Sequence, residues 1–289
     1  MNRLLAAVAV LGLVLTVVSP LNAAVTTFDF DDAWGADYAP GWENSAYRHG
    51  DPPIGKMMQH TTIAHSGGGG MKLVADSTPE SWMWWAYTNV KNVNPEAMKK
   101  QYDPYISVWY YDQGDSGGRD AAGQMFAVPS WVNPYIAGDE DWTDVQFGAR
   151  DNVGAEDLYY YVAVGENHPG WVPTTVARPL SDDPQWVNLK MQLDSTDGYI
   201  HFYIDDVEVG QSYRSDYLDL GTEVGLGTRF AAPLANWGED KPYSIWDEYT
   251  IGSTYQGKML IPEPASVIVW STLGLLGITI GWWRRRRTA

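Results

Sequence analysis

Between residues 25 and 254, apolar and polar residues alternate in short runs, separated by Gly, Pro, Asn and Asp. The runs predict strands at Thr26–Phe30, Met71–Ala75, Trp82–Val90, Tyr105–Tyr111, Gln124–Val128, Val145–Ala149, Leu158–Val164, Trp186–Leu193, Tyr199–Ile204, Val224–Phe230 and Ser244–Ile251. In the clearest pair, Val187, Leu189, Met191 and Leu193 alternate with Trp186, Asn188, Lys190 and Gln192. The turn Ser195-Thr196-Asp197-Gly198 follows, and Ile200, Phe202 and Ile204 resume the alternation. Period two on both sides of an Asp-Gly turn predicts a hairpin with one face in the core. One short helix is predicted, from Asn94-Pro95-Glu96 through Met98 to Gln101, because it opens on an N-cap, a proline at the first helical position and an acid. Ser66-Gly67-Gly68-Gly69-Gly70 lacks the lysine and following helix of a phosphate loop and reads as a flexible turn. Many short strands with almost no helix predict an all-β fold, an antiparallel β-sandwich. No fixed-period repeat or break in composition divides it, so 25–254 is read as one domain and 255–261 as a linker.

The two ends carry another pattern. Met1-Asn2-Arg3, the apolar run Leu4–Val18, the break at Ser19-Pro20 and the small residues Ala23 and Ala24 read as a secretory signal peptide over 1–24. Its partner would be the Sec translocon. At the other end Ala265–Trp283 is an uncharged run of 19 residues. As a helix it would be about 28 Å long, enough for the hydrocarbon core of a bilayer. Arg284, Arg285, Arg286 and Arg287 follow it and fix that end in the cytoplasm, so the domain between the two runs lies outside the inner membrane. Pro262-Glu263-Pro264, one apolar span and a terminal arginine cluster, in that order, resemble the PEP-CTERM sorting signal of Gram-negative environmental bacteria, here over 262–289. The resemblance implies that a membrane-embedded exosortase cuts near Pro262-Glu263-Pro264. The span over 265–283 is then a transient tether, and the protein passes to the cell surface or extracellular matrix. It also implies a link to exopolysaccharide. A plain C-terminal anchor is the alternative.

Composition narrows the function classes. Without Arg3, the four terminal arginines and Glu263, 14 basic residues face 35 acidic ones, a net charge of about −21. Such a surface repels nucleic acid and anionic membranes. The chain has no cysteine, which excludes thiol catalysis, disulfides and cysteine-based zinc sites. Its 15 Trp and 18 Tyr against 6 Phe favour aromatics with a polar handle, packed at one end and wet at the other.

Two stretches have a family look. Trp186, Asn188 and Lys190 lead to Gly198 and then Phe202-Tyr203-Ile204-Asp205-Asp206. This resembles the strand–turn–strand of concanavalin A-like (laminin-G-like) jelly rolls, with Asp206 where those folds have glycine. Ile245-Trp246-Asp247-Glu248-Tyr249-Thr250-Ile251 resembles their final strand, and Phe28-Asp29-Phe30-Asp31 with Trp34 and Trp42 resembles a first strand. The resemblance implies a jelly roll whose first and last strands pair, often with one structural calcium beside them. Asp29, Asp31 and Asp247 are the candidate ligands, since calcium takes six to eight oxygens.

No Glu-x-Asp-x-Glu strand, Gly-x-Ser-x-Gly elbow or His-Glu-x-x-His motif is present, and His60 and His65 are poorly spaced for zinc. On a strand Trp82 and Trp84 face one side and Trp85 the other. One side must be core, and the other is a candidate platform for sugar rings, helped by Trp109, Trp131 or Trp142. Core packing is the competing explanation for each. The expectation is a non-enzymatic, exported surface or matrix protein that binds exopolysaccharide or another glycan. A polysaccharide-degrading hydrolase or lyase of the same fold and a purely structural surface protein are the alternatives.

Overall fold

A computed structural model describes residues 25–32, 34, 39–45, 58–74, 83–89, 95–114, 122–127, 129–130, 145–149, 158–162, 170–180, 182–221, 223–229 and 243–254. The signal peptide, the linker, the sorting signal with its span, and Trp82, Trp131 and Trp142 lie outside these residues. Among the described residues no helix is long and apolar enough to cross a membrane.

The described strands are β1 (Thr26–Phe28), β2 (Trp42–Ser45), β3 (Met58–Thr61), β4 (Gly70–Val74), β5 (Met83–Asn89), β6 (Pro104–Asp112), β7 (Ala122–Ala127), β8 (Val145–Ala149), β9 (Leu158–Val162), β10 (Val172–Ala177), β11 (Gln185–Leu193), β12 (Ile200–Ile204), β13 (Val207–Gln211), β14 (Glu223–Arg229) and β15 (Tyr243–Ser253). They form two antiparallel sheets. One runs β13-β12-β11-β6-β15-β4-β3, with β1 also on β15; the other runs β10-β9-β8-β7-β14-β5-β2. This is the all-β antiparallel sandwich that the alternation predicts. The first and last strands pair, Thr26 opposite Ile251 and Phe28 opposite Tyr249. Every predicted strand is found, with ends shifted by no more than two residues.

The predicted hairpin is β11–β12, in register from Leu193↔Ile200 to Leu189↔Ile204. Its turn closes with Asp194 N–H on Tyr199 O (3.0 Å) and Gly198 N–H on Asp194 O (2.8 Å), and Gly198 takes a φ of 79°. The apolar set of both strands points into the core: Leu189, Met191, Leu193, Ile200 and Phe202 are fully buried. Each such side chain contributes about 1.5–3 kcal/mol by leaving water. Facing them from the other sheet are Met125, Phe147, Tyr159, Tyr161, Val224 and Leu226. Phe202 stacks on Tyr161 at 4.5 Å and tilts against Phe147 at 5.3 Å.

Polar groups also cross between the sheets. Thr228 Oγ1 reaches Ser244 Oγ (2.5 Å), and Gly123 N–H donates to the Tyr110 hydroxyl (3.1 Å). The Asp112 carboxylate, at the end of β6, accepts from Arg178 Nη2 (2.7 Å), Arg178 Nε (3.0 Å), the Tyr159 hydroxyl (2.7 Å) and Gly114 N–H (2.9 Å). Asp112 is fully buried and the Arg178 side chain is 3% exposed.

One expectation needs correction, and another is found. The predicted helix is two 3₁₀ segments, Pro95–Met98 and Lys100–Tyr102. The backbone between them is drawn to the 218–220 segment instead: Lys100 N–H donates to Leu218 O and Leu220 N–H to Met98 O, both at 2.9 Å. Asp103, at φ 45°, ends the run. The glycine run is the β3–β4 turn, and close packing determines its residues. A Cβ on Gly67 would fall 2.0 Å from Asp31 Oδ1, and one on Gly69 2.0 Å from His60 Nε2.

Candidate functional site

Alternation along β6 sends Ile106, Val108 and Tyr110 into the core and leaves Tyr105, Ser107, Trp109 and Tyr111 on the outer face of the eight-stranded sheet. β11 does the same with Trp186, Asn188, Lys190 and Gln192, which lie half-buried on that face. Register then builds a grid. One row runs Trp186–Tyr111–Ile245–Lys72 across β11, β6, β15 and β4. At the inter-strand spacing it is about 14 Å long. Within it Trp186 and Tyr111 lie 5.2 Å apart. The next row pairs Asn188 with Trp109, and the one after it Lys190 with Ser107.

The lysines lie on rings. Lys190 Nζ is 4.9 Å from the centre of Tyr203 and 5.5 Å from that of Tyr105, and Lys72 Nζ is 3.8 Å from that of Tyr243. Burial lowers the Lys72 pKa and raises that of Tyr105. The His65 ring stacks on Trp109 at 3.7 Å and 10°, and meets Trp186 edge-on at 5.8 Å. His65 Nδ1 is 3.0 Å from Glu248 Oε2, and Ser66 Oγ donates to Glu248 Oε1 (2.5 Å). This face is a half-exposed aromatic surface with amides, hydroxyls and two ammonium groups among the rings.

Of the tryptophans proposed as a platform, Trp109 is therefore on the outer face of the eight-stranded sheet, whereas β5, which carries Trp84 and Trp85, belongs to the other sheet. They do not form one platform. Trp84 is the register partner of Thr228, whose hydroxyl bonds across to the opposite sheet. Trp85 is the partner of Gly227, in the row Tyr160–Gly148–Gln124–Gly227–Trp85. Gln124, Gln146, Tyr160 and Phe126 turn away from the apolar core cluster, yet all are buried. Gln124 Nε2 donates to Ala149 O (2.9 Å), and its Oε1 is buried without a hydrogen-bond partner. Gly148, at φ 149°, has Gly123 O where a Cβ would be, 2.3 Å away. The described residues of this second face form a tightly packed amide floor.

Tyr111, Trp186, Lys72 and Lys190 were not named as ligand-binding residues from sequence. The signal was present for Trp186 and Lys190, on the polar side of the clearest alternation. What sequence lacks is the partner strand: only register brings Tyr111 and Lys72 into the same row.

The calcium candidates surround one loop, residues 62–69 between β3 and β4. Asp31 Oδ1 accepts from Gly68 N–H (2.7 Å) and Gly69 N–H (3.3 Å). Asp247 Oδ2 accepts from His65 N–H (2.8 Å) and Ser66 N–H (3.1 Å), and its Oδ1 from Glu248 N–H (2.8 Å). Burial raises the Asp247 pKa against the pull of these N–H groups. Asp29 is exposed and bonds weakly to Asp31 N–H at 3.5 Å. In this arrangement Asp31 and Asp247 act as acceptors for loop amides. Among the described residues, the group of acids and histidines whose ligand atoms do gather, within 4.8 Å, is Asp194, Asp197 and His201. There His201 Nδ1 lies 2.8 Å from Glu208, and Nε2 3.0 Å from Asp197 within the group.

No protein-family model matches the chain, and no curated protein matches it. Solved structures do. A carbohydrate esterase from the Shiga toxin-encoding bacteriophage phi24B is similar at 12% identity and a TM-score of 0.50, over 79% of this chain and 99% of that one. The cellulose induced protein Cip1 is similar at 17% identity and a TM-score of 0.51, over 79% of this chain and 97% of that one. At these identities the likeness shows the fold alone, an antiparallel sandwich of two sheets.

Proposed function

We propose that the chain is an exported surface or matrix protein, released through its PEP-CTERM tail by an exosortase, whose sandwich binds glycan without cleaving it. The observation that carries the binding reading is the half-exposed aromatic row on the eight-stranded sheet, Trp186 and Tyr111 with Trp109 beside them. Stacking against a sugar needs rings that are held in place but wet on one face, and strand residues packed edge to edge provide that. Asn188, Gln192 and Ser107 stand between the rings as hydroxyl readers. The carboxylates at this face support binding over hydrolysis. A glycosidase needs an acid and a base turned to the substrate, whereas Asp247 is occupied by three N–H groups and Glu248 by His65 and Ser66. That the likenesses include a protein described as a carbohydrate esterase and one described as cellulose induced supports a polysaccharide setting.

The test is titration calorimetry of the full-length chain in mild detergent with soluble β-glucan oligosaccharides. We expect micromolar to millimolar affinity, about −4 to −8 kcal/mol. Trp186→Ala is expected to weaken binding at least tenfold without lowering the melting temperature by more than a few degrees. Binding that is indifferent to Trp186→Ala and Tyr111→Ala would reject this face.

A further inference from the structure

We infer that the aromatic face takes an anionic polysaccharide, one bearing uronate or similar carboxylate groups, and that Lys72 and Lys190 are its charge readers. The inference rests on the binding reading above and adds the class of glycan.

The chain is strongly acidic, with 36 acidic against 19 basic residues in all. In such a chain a lysine has many carboxylates available to pair with. Both arginines with described side-chain ion pairs meet a carboxylate, Arg178 at Asp112 and Arg214 at Asp216 (2.5 and 2.7 Å), whereas Lys100 Nζ donates to Ser215 O. Among the described residues Lys72 and Lys190 pair with no carboxylate and lie instead over the faces of Tyr243, Tyr203 and Tyr105. A cation over a ring is held in direction but keeps part of its shell open, so it can take a carboxylate on its outer side.

Their placement fits a chain ligand. In the row that begins with Trp186 and Tyr111, Lys72 follows the buried Ile245 and has Gln59 of β3 beyond it, and Lys190 lies four residues along β11 from Trp186. At the rise and spacing of a sheet, each is about 13–14 Å from Trp186. The two ammonium groups thus flank the ring pair in two directions across the face. The neighbouring carboxylates, Asp247 and Glu248, are turned to the loop, Asp247 accepting from its N–H groups and Glu248 bonded to the Ser66 hydroxyl and His65. The general negative charge of the protein is screened over about 8–10 Å at ordinary ionic strength, so the nearby lysines govern the local field. If the lysines only covered the sheet with their methylene stems, neither salt nor their charge would alter binding.

The experiment compares an oligogalacturonate with an uncharged cello-oligosaccharide of equal length. It uses the full-length chain in mild detergent, at about 20 mM and about 500 mM sodium chloride. Expected is tighter binding of the oligogalacturonate at low salt and a loss of at least tenfold at high salt. The double variant Lys72→Gln/Lys190→Gln should weaken the oligogalacturonate at least fivefold and leave the uncharged sugar within twofold. Trp186→Ala should weaken both. Equal affinities for the two sugars, unchanged by salt or by the lysine variant, overturn the charge assignment and leave the neutral-glycan reading standing. Failure of both sugars to bind overturns both readings. Circular dichroism of the lysine variant guards against unfolding, since neither lysine lies in the core.

Discussion

Replacing Arg178 tests how the two sheets are held together. The Asp112 carboxylate comes from the eight-stranded sheet, while Arg178 follows β10 and Tyr159 lies on β9, both in the other. Burial acts to lower the Arg178 pKa, but the hydrogen bonds and charge of Asp112 outweigh it, and the arginine stays charged. Burial, with Asp112 beside it, drives the Tyr159 pKa far up, so the hydroxyl stays a donor. Removing one partner of a buried pair costs about 3–5 kcal/mol, because the other charge is left without compensation. In Arg178→Met the carboxylate keeps two donors, the Tyr159 hydroxyl and Gly114 N–H, so the low end applies, about 3 kcal/mol. For a domain of this size that is a fall in melting temperature of about 6–12 °C. Asp112→Leu leaves the buried guanidinium charge with Gly114 O in place of a carboxylate and takes the acceptor from both donors, so the high end applies, about 5 kcal/mol.

The double variant Asp112→Leu/Arg178→Met carries no buried charge. Its remaining cost is the unpaired Tyr159 hydroxyl and Gly114 amide, roughly 1–3 kcal/mol each when fully buried. The double change should therefore cost less than the sum of the two single ones by several kcal/mol. Urea unfolding followed by tryptophan fluorescence measures all three. Additive costs, or an Arg178→Met cost below about 1 kcal/mol, would falsify the reading of this pair as a buried, mutually dependent tie.

Three further outcomes are expected. Gly148→Ala should cost about 1–3 kcal/mol in urea unfolding, since its Cβ would meet Gly123 O at 2.3 Å in a backbone conformation unsuited to other residues; a neutral result would mean β7 and β8 can separate freely. Burial lowers the His201 pKa, but Glu208 and then Asp197 outweigh this and raise it above the ordinary value. The resulting stability is complete below the unfolded value near about 6.5 and is lost as pH rises through the higher folded one. His201→Gln should thus lower the melting temperature at pH 6 and much less at pH 9, and a deficit independent of pH would remove the ion pairs from the account. Alanines at Pro262, Glu263 and Pro264 should leave the protein in the inner membrane of a host with an exosortase, as read by fractionation; equal release of variant and wild type leaves an ordinary anchor.

The strands that sequence made legible and those it missed differ in one physical respect. β2, β3, β10 and β13 were not predicted, and they are the ends of the two strand orders; of the strands with one partner, only β1, on β15, was predicted. An edge strand has a partner on one side only and packs less completely against the other sheet. Its apolar alternation therefore fades: β13 has no buried position, and β10 buries only Thr174. β8 shows the opposite limit. All five of its residues are buried, so Val145, Phe147 and Ala149 face the core while Gln146 and Gly148 are covered on the other side. Alternation reports burial on one face only. The site was partly legible for the same reason. The even-numbered residues of Trp186–Gln192 were evidently outward, but alternation within a strand says nothing of which neighbour lies beside it. Grouping Trp109 with Trp84 and Trp85 was therefore a choice among tryptophans, and strand order places them on different sheets.

The acids set aside from sequence for calcium have a second role that links the terminal strands to the aromatic face. Asp31 follows β1 and Asp247 lies in β15, so both come from the pair of strands that joins the two ends of the domain. Both carboxylates receive N–H groups of the same loop, Asp31 at Gly68 and Gly69 and Asp247 at His65 and Ser66. Hydrogen bonds to an ionised carboxylate are worth more than neutral ones, about 1.5–3 kcal/mol each, and they determine where the loop lies. Glu248, at φ 49° in the bulge of β15, then takes the His65 ring and the Ser66 hydroxyl. The result is that His65 lies flat on Trp109 and edge-on to Trp186. One side of the Trp109 ring is thereby covered, and the open aromatic surface shifts to Trp186 and Tyr111. The bulge in the last strand, rather than the choice of tryptophan, decides which rings remain available to a ligand.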